Sequence, residues 1–308
     1  MSGPLPSRLR RVARTLSDSW RHMLISIPYV WMLLFFLVPF FIVLKISLAD
    51  MLDTQPPFSA LVNWIDDSHI SFVLTFDNFK FIASEDIYLR AYLNSLKIAA
   101  ISTVLCLLLG YPMAYAIARA PANRRNILLL VVILPLWTSF LLRVYAWIGL
   151  LDTNGMINRF LVWSHIVSAP IQMLYTPFAV YLGIVYSYLP FMILPLYASL
   201  ERLDATLDEA AADLGARPWS VFRDVTLPLS MPGIVAGSLL TFIPAVGEYV
   251  IPDLLGDARN LMIGRVLFNE FFQNRDWPTA SAVAIALLVA LVIPIMFFQA
   301  AQAREEKS

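Results

Sequence analysis

The sequence predicts an all-α integral membrane protein with six transmembrane helices, and three observations carry that expectation. Hydrophobic residues fill 59% of the 308 positions and charged residues only 14%, with a mean hydropathy of +0.70, too apolar for a soluble domain of this length. Apolar stretches recur that approach or exceed the roughly 20 residues a helix needs to cross about 30 Å of hydrocarbon. Basic residues gather on some connecting loops and acidic residues on others, as the positive-inside rule requires of a chain with fixed sidedness.

The spans are expected over roughly 25–48, 92–118, 127–150, 176–200, 231–254 and 279–300. Residues 1–24 form a tail carrying Arg8, Arg10, Arg11, Arg14 and Arg21, which places it in the cytoplasm. The first apolar stretch is too long for a signal-peptide core and no small-residue cleavage site follows it, so it reads as an uncleaved span. The loop after it sets Lys80 and Arg90 against Asp50, Asp53, Asp66, Asp67, Asp77, Glu85 and Asp86, which suits the outer side. The next loop carries Arg119, Arg124 and Arg125 with no acid nearby, which returns the chain to the cytoplasm. Six spans then place the tail 301–308 inside as well, and 25–300 is one transmembrane domain.

Within the spans, Pro39, Pro112, Pro135, Pro190, Pro195, Pro244, Pro252 and Pro294 each remove a backbone donor and favour a kink. Most are read as structural, because proline is common in membrane helices and neighbouring helices satisfy the freed carbonyls. Cys106 is alone in the second span, without a disulfide partner, and is assigned to packing. A net charge of zero gives no support to nucleic-acid binding.

The segment 201–230 is the substantial polar loop late in the chain, and it reads as two short helices. Leu203, Leu207, Ala210 and Leu214 recur at helical spacing, with Asp204, Asp208 and Ala211 on an adjoining face. Gly215 suits a left-handed helix end, Pro218 suits the first turn of a second helix, and Trp219, Phe222 and Val225 give that helix an apolar stripe. Ala210, Ala211 and Ala212 keep the surface low for a close-fitting partner, and Glu209 offers it a carboxylate. A charged elbow between two spans has little reason to exist unless something soluble docks on it.

Catalytic patterns are absent. No phosphate-cradling G-x-x-x-x-G-K-[ST] occurs, nor H-E-x-x-H, G-x-S-x-G or a Cys/His cluster with metal-ligand spacing. His22, His69 and His165 fall outside the spans and far apart. Any energy source must lie on another subunit.

Glu209-Ala210-Ala211, Gly215 and Val225-Thr226-Leu227-Pro228 together resemble the cytoplasmic signature of permease subunits in binding-protein-dependent ABC importers, with Val225 where Ile is usual. Asp77-Asn78-Phe79, Asn94-Ser95-Leu96, the run Leu134–Phe140, Arg143-Val144-Tyr145-Ala146-Trp147, the run Ile243–Pro252 and Asn274–Pro278 extend the resemblance to polyamine importer permeases. It is nearest the putrescine system, with the spermidine system a near relative. The resemblance implies a type I ABC importer permease fold with a cytoplasmic coupling helix, in which Glu209, Ala210, Ala211 and Gly215 dock the ATPase. It implies two copies of a cytoplasmic ABC ATPase carrying ATP and Mg, a second similar permease, a periplasmic polyamine-binding protein, and a place in the bacterial inner membrane. No cofactor is expected on this chain.

A linear polyammonium cargo calls for carboxylates and aromatic faces along its path. Glu248 is an acid inside an expected span, Tyr249 lies beside it and Asp253 follows five positions on, about 500° of helical rotation later. Trp137, Tyr145 and Trp147 are further path candidates, with interfacial anchoring or packing as the other reading. Arg143 lies within the third expected span, so Glu248 either meets cargo or pairs with Arg143 to position helices. Two other functions stay open: a permease for a different small solute, for which Arg143 or Arg265 would gain interest, and a membrane scaffold whose elbow recruits a regulator.

Overall fold

The computed structural model describes the backbone of residues 7–60, 62–66, 69–72, 74–257 and 261–305, and side chains over 24–60, 74–204, 206–257, 261–293 and 295–296. The side chains of Arg8, Arg10, Arg11, Arg14, Arg21, His22, Asp66, Asp67, His69 and Pro294 and the tail 301–308 lie outside those described side chains.

In chain order the elements are α1 (Ser7–Ser47), β1 (Val62–Asp66), β2 (His69–Phe72), α2 (Asp77–Ser84), α3 (Asp86–Ala118), α4 (Ala122–Ile133), α5 (Phe140–Leu151), α6 (Met156–Trp163) and α7 (Pro177–Glu201). There follow α8 (Ala205–Asp213), α9 (Pro218–Val221), α10 (Leu227–Leu229), α11 (Met231–Val246), α12 (Val250–Leu255), α13 (Ile263–Phe268) and α14 (Trp277–Glu305). The chain is almost wholly helical, as expected, with one departure: β1 and β2 pair as an antiparallel hairpin in the first loop.

Among the described residues, three helices are long and apolar enough to cross a membrane unbroken: Leu24–Ser47 of α1, α3 and α7. Up to five crossings result if each of two bent pairs is one span, and Trp277–Ile293 of α14 is a shorter apolar segment. The third expected span, 127–150, is therefore not a straight helix. Pro135 enters a 3₁₀ turn at Leu134–Trp137, Thr138 and Ser139 are extended, and the chain bends by 90° before α5. The fifth expected span, 231–254, also divides: α11 ends at Val246, and Gly247, Glu248 and Tyr249 separate it from α12. Pro244 stands inside the last turns of α11, where it weakens the helical ladder just before the break.

The structure comprises two compact units, residues 1–82 with 275–296 and residues 83–274 with 297–308. In the first, Asn78 Nδ2 donates to the carbonyls of Ser47 (3.1 Å) and Ala49 (2.8 Å), which satisfies the end of α1. In the second, α3, α7 and α11 pack against one another. Cys106, Tyr111, Ala114 and Ile117 of α3 meet Val185, Met192, Ile193 and Leu196 of α7 in a buried core. Cys106 is fully buried, its thiol donating to the Val185 carbonyl at 3.7 Å.

Small residues let α11 approach α7. A Cβ on Gly233 would lie 2.5 Å from Ser199 Cβ and 2.9 Å from the Pro195 carbonyl oxygen, and one on Gly237 would lie 2.9 Å from Met192 Sδ. The Gly233-x-x-x-Gly237 spacing is the small-residue pattern of close helix contact in membranes. The Asn94-Ser95 pair also finds a structural role, because Asn94 Nδ2 donates to the Leu261 carbonyl (2.9 Å) and Ser95 Oγ accepts from the Ile263 amide (2.8 Å). Together they fasten the start of α13 to α3.

Candidate functional site

Two places carry most of the sequence-predicted residues, the polar elbow between α7 and α11 and the break between α11 and α12, while Trp137, Arg143, Tyr145 and Trp147 lie on or just before α5. The elbow begins at Asp204, whose Oδ1 accepts from the Thr206 amide at 3.0 Å and caps α8. That backbone hydrogen bond, reinforced by the Thr206 side chain, holds the Asp204 carboxyl below its ordinary value. α8 ends in a Schellman arrangement: the Gly215 amide donates to the Ala212 carbonyl (2.8 Å) and the Ala216 amide to the Ala211 carbonyl (3.1 Å). Gly215 sits at φ +85°, the left-handed conformation that its sequence position suggested.

The polarity of α8 is turned relative to the sequence expectation. Asp208 faces inward, paired with Arg119 and accepting a hydrogen bond from Thr226 Oγ1 at 3.1 Å. Leu207 (47% exposed), Leu214 (89%) and Trp219 (69%) are left outside, so apolar side chains that would normally seek a core face outward. Glu209 and Ala210 are exposed and Ala211 is half-buried. Phe222 and Val225 are half-buried while Trp219 is not, so the expected stripe of the second helix is only partly used. A recess of about 230 Å³ lies within the elbow, lined by Tyr115, Asp208, Ala212, Pro218, Phe222 and Thr226 among others.

The elbow is fastened at three further points. Arg125 Nη1 lies 2.7 Å from Glu201 Oε1 at the end of α7, and its Nη2 donates to the Ala118 carbonyl at 3.1 Å. The hydroxyls of Tyr111 and Ser230 are 2.8 Å apart. The Tyr111 ring meets Phe222 edge-on at 5.5 Å. The basic loop at 119–125 is thus a second wall of the elbow. Sequence reasoning used these arginines for sidedness alone, and their spacing gave no sign of partners some 80 residues away.

At the break, Glu248 is 7% exposed. Its Oε1 accepts from the amides of Tyr249 (3.2 Å), Val250 (3.0 Å) and Ile251 (3.4 Å), and its Oε2 accepts from the Tyr188 hydroxyl. The carboxylate therefore closes the N-terminus of α12, where free amides and the helix dipole favour negative charge. Gly264 packs onto this turn, since a Cβ there would lie 2.3 Å from the Gly247 carbonyl oxygen and 2.7 Å from that of Glu248. Among the described residues Arg143 forms no ion pair with Glu248. Its Nε and Nη1 are buried without a hydrogen-bond partner, and its guanidinium carbon lies 5.7 Å from the Phe140 ring centroid and 6.0 Å from that of Tyr186.

The remaining candidates divide. Tyr249 stacks on Phe268 at 4.0 Å, and Asp253 pairs with Arg265 at 3.0 Å. Trp147 meets Tyr186 edge-on at 5.3 Å, whereas Trp137 (74%) and Tyr145 (56%) are exposed. Tyr188 and Gly264 were missed by sequence reasoning. A half-buried tyrosine in an apolar helix gives no signal of its own, but the Gly233-x-x-x-Gly237 pattern was available.

Long apolar helices packed through small residues, a polar elbow with an outward apolar face, and a carboxylate-capped break inside the apolar segment are the features of a helical membrane protein. The chain belongs to the family described as binding-protein-dependent transport system inner membrane component, whose model matches residues 106–307. These are permease subunits of ABC importers, transport proteins of the inner membrane rather than enzymes.

Among its relatives is the spermidine/putrescine transport system permease protein PotB of Haemophilus influenzae, 38% identical over 286 residues, covering 92% of this chain and 95% of the relative. The protein of that name from Escherichia coli K12 is 42% identical over 233 residues, covering 76% and 84%. A molybdenum transport system permease protein, ModB of Mycobacterium bovis, is 35% identical over 210 residues, covering 67% and 76%. Among solved structures, a chain of a bacterial alginate ABC transporter, in complex with its alginate pentasaccharide-bound periplasmic protein, matches with a TM-score of 0.69 at 18% identity over 93% of this chain and 95% of that chain. That likeness concerns the fold alone.

Proposed function

We propose that this chain is the transmembrane subunit of an ATP-driven importer that moves polyamines, putrescine and spermidine, into the cytoplasm. The observation that carries the substrate class is the similarity to spermidine/putrescine permeases along almost the whole chain. Glu209, Ala210, Ala211 and Gly215 form the docking element for a cytoplasmic ABC ATPase. Two copies of that ATPase carry ATP and Mg, a second similar permease completes the path, and a periplasmic binding protein delivers the cargo. Both termini lie in the cytoplasm, on the side of Arg119, Arg124 and Arg125.

Two geometric features support the coupling part of this reading. Leu207, Leu214 and Trp219 present apolar surface around a turn held rigid by the Gly215 Schellman bonds. The ion pairs Arg119–Asp208 and Arg125–Glu201 tie that turn to α3, α4 and α7, so a push on the elbow reaches three helices together with α11. Tyr249 and Asp253 remain candidates for the cargo path, with Trp137, Tyr145 and Trp147 beside them, while Glu248 holds the break.

The test is uptake of labelled putrescine, with and without excess unlabelled spermidine, in cells lacking this chain and in cells with it restored. Loss and recovery of uptake support the reading, and the extent of competition ranks the two cargoes. Unchanged uptake, in a strain without another polyamine importer, overturns the cargo assignment.

A further inference from the structure

We propose that the Asp253 carboxylate, with the rings of Tyr249 and Phe268, is a subsite for one ammonium end of the cargo, and that Arg265 occupies it in this conformation in the cargo's place. The inference rests on the polyamine reading above and adds the site and its internal competitor.

Tyr249 and Asp253 are four residues apart at the start of α12, and Arg265 and Phe268 are three residues apart on α13. Each pair therefore shares one side of its helix. The two sides face each other through two rungs. One rung is aromatic, with Tyr249 and Phe268 stacked at 4.0 Å and 15° between planes. The other is ionic, with Arg265 Nε 3.0 Å from Asp253 Oδ1. An arginine side chain is a three-methylene stem ending in a cation, and the end of a linear diamine is a methylene stem ending in an ammonium. The carboxylate answers the charge of either group, and the aromatic rung on the same side of the two helices offers ring surface to a stem or cation.

The pair is open enough for exchange. The side chains of Arg265 and Asp253 are 23% and 37% exposed in the isolated chain, and a pair at such exposure contributes little net stability. Of the acids near this turn, Glu248 caps α12 and Glu270 accepts from the Tyr88 hydroxyl at 3.0 Å and from Asn274 Nδ2 at 2.8 Å. Asp253 is the one among these whose partner is itself a cationic side chain.

The position of Arg265 is tied to the break. Gly264, its immediate neighbour, rests against the carbonyls of Gly247 and Glu248 closely enough to exclude a Cβ. A change of angle between α11 and α12 must therefore move α13 and carry Arg265 with it. Because α11 starts at the elbow, movement of the elbow and release of Asp253 are mechanically linked. The carboxylate is covered in one conformation and offered to cargo in the other.

Equilibrium dialysis of labelled putrescine against the purified permease–ATPase complex, without binding protein, tests this. Arg265→Gln removes the competitor and is expected to tighten binding by up to about fivefold, the factor set by a partly exposed ion pair. Adding Asp253→Asn to Arg265→Gln is expected to weaken binding below that of the wild type, because the carboxylate that receives the ammonium is gone, and Phe268→Leu is expected to weaken binding with the ion pair intact. A purely structural pair predicts that Arg265→Gln loses stability with no rise in putrescine binding, and that result overturns the proposal. If Arg265→Gln fails to assemble, the double variant leaves no lone charge, and binding as tight as wild type in it overturns the proposal equally. Failure of the wild type to take up polyamine in cells defeats the cargo reading itself, whereas wild-type uptake with an unresponsive Asp253 defeats this inference alone.

Discussion

Tyr111 of α3 and Ser230 at the start of α11 share a hydrogen bond of 2.8 Å across 119 residues of sequence. Ser230 Oγ also lies 2.9 Å from the Leu227 carbonyl, so this single hydroxyl links the central helix of the core to the point where the elbow enters α11. Tyr111→Phe keeps the ring against Phe222 and deletes the bond, at a cost of about 0.5–1.5 kcal/mol. The expected outcome is normal assembly with more ATP hydrolysed per cargo molecule moved, measured in proteoliposomes.

Glu209→Lys and Gly215→Pro are expected to leave membrane insertion intact and abolish uptake. The lysine reverses the charge offered to the ATPase. The proline cannot adopt φ +85° and lacks the amide that bonds the Ala212 carbonyl. Full uptake in cells expressing either variant at wild-type levels would remove the docking assignment.

Gly264→Ala is expected to destabilise by roughly 1–3 kcal/mol, because the new Cβ would overlap the carbonyls beneath it and backbone must shift. Gly149, where an added Cβ meets nothing within 4 Å, supplies the control, and Gly149→Ala should leave thermal stability in detergent unchanged. Equal behaviour of the two variants would contradict the close packing of α13 on the break.

Glu248→Gln retains one acceptor oxygen for the α12 amides but weakens the hold on the Tyr188 hydroxyl. Lower thermal stability with an unchanged half-saturating cargo concentration is the expected result, and Tyr188→Phe should reproduce it. A raised half-saturation at full assembly would instead place the carboxylate in contact with cargo.

The Asp204 cap gives a pH expectation. Its folded-state pKa is depressed below the ordinary 3.8, first by the Thr206 amide, so it stabilises α8 above that value and the contribution is lost as pH falls through the depressed one. Across pH 5.5–8 the cap stays ionised and should impose no pH dependence on ATPase docking. Asp204→Asn, an equally good cap at neutral pH, should bind the ATPase as wild type does. A docking defect in Asp204→Asn at pH 7 would show that charge, not capping, matters there.

Much of this architecture was legible because lipid and helix geometry act locally. The apolar stretches had to be helices, since hydrocarbon offers no partner to exposed amides, and Gly215 had to end a helix because its place in the pattern required a left-handed turn. The kinks were less legible. Pro135 and Pro244 marked weakened points, but proline permits a bend without setting its angle, and the 90° turn before α5 and the split at Gly247–Tyr249 depend on what packs around them.

The sequence by itself determined the helical membrane class and the elbow with Glu209, Ala210, Ala211 and Gly215, because each follows from composition or from residues close together in the chain. Tertiary structure alone decided which charges met. Arg119 found Asp208, Arg125 found Glu201, and Arg265 found Asp253, while Glu248 turned to the amides of α12 and to Tyr188, and Arg143 turned to Phe140 and Tyr186. A charge shows its sign in the sequence but not its partner. The partner is whichever opposite group folding brings within a few ångströms, and that is set by helix packing at Gly233, Gly237 and Gly264.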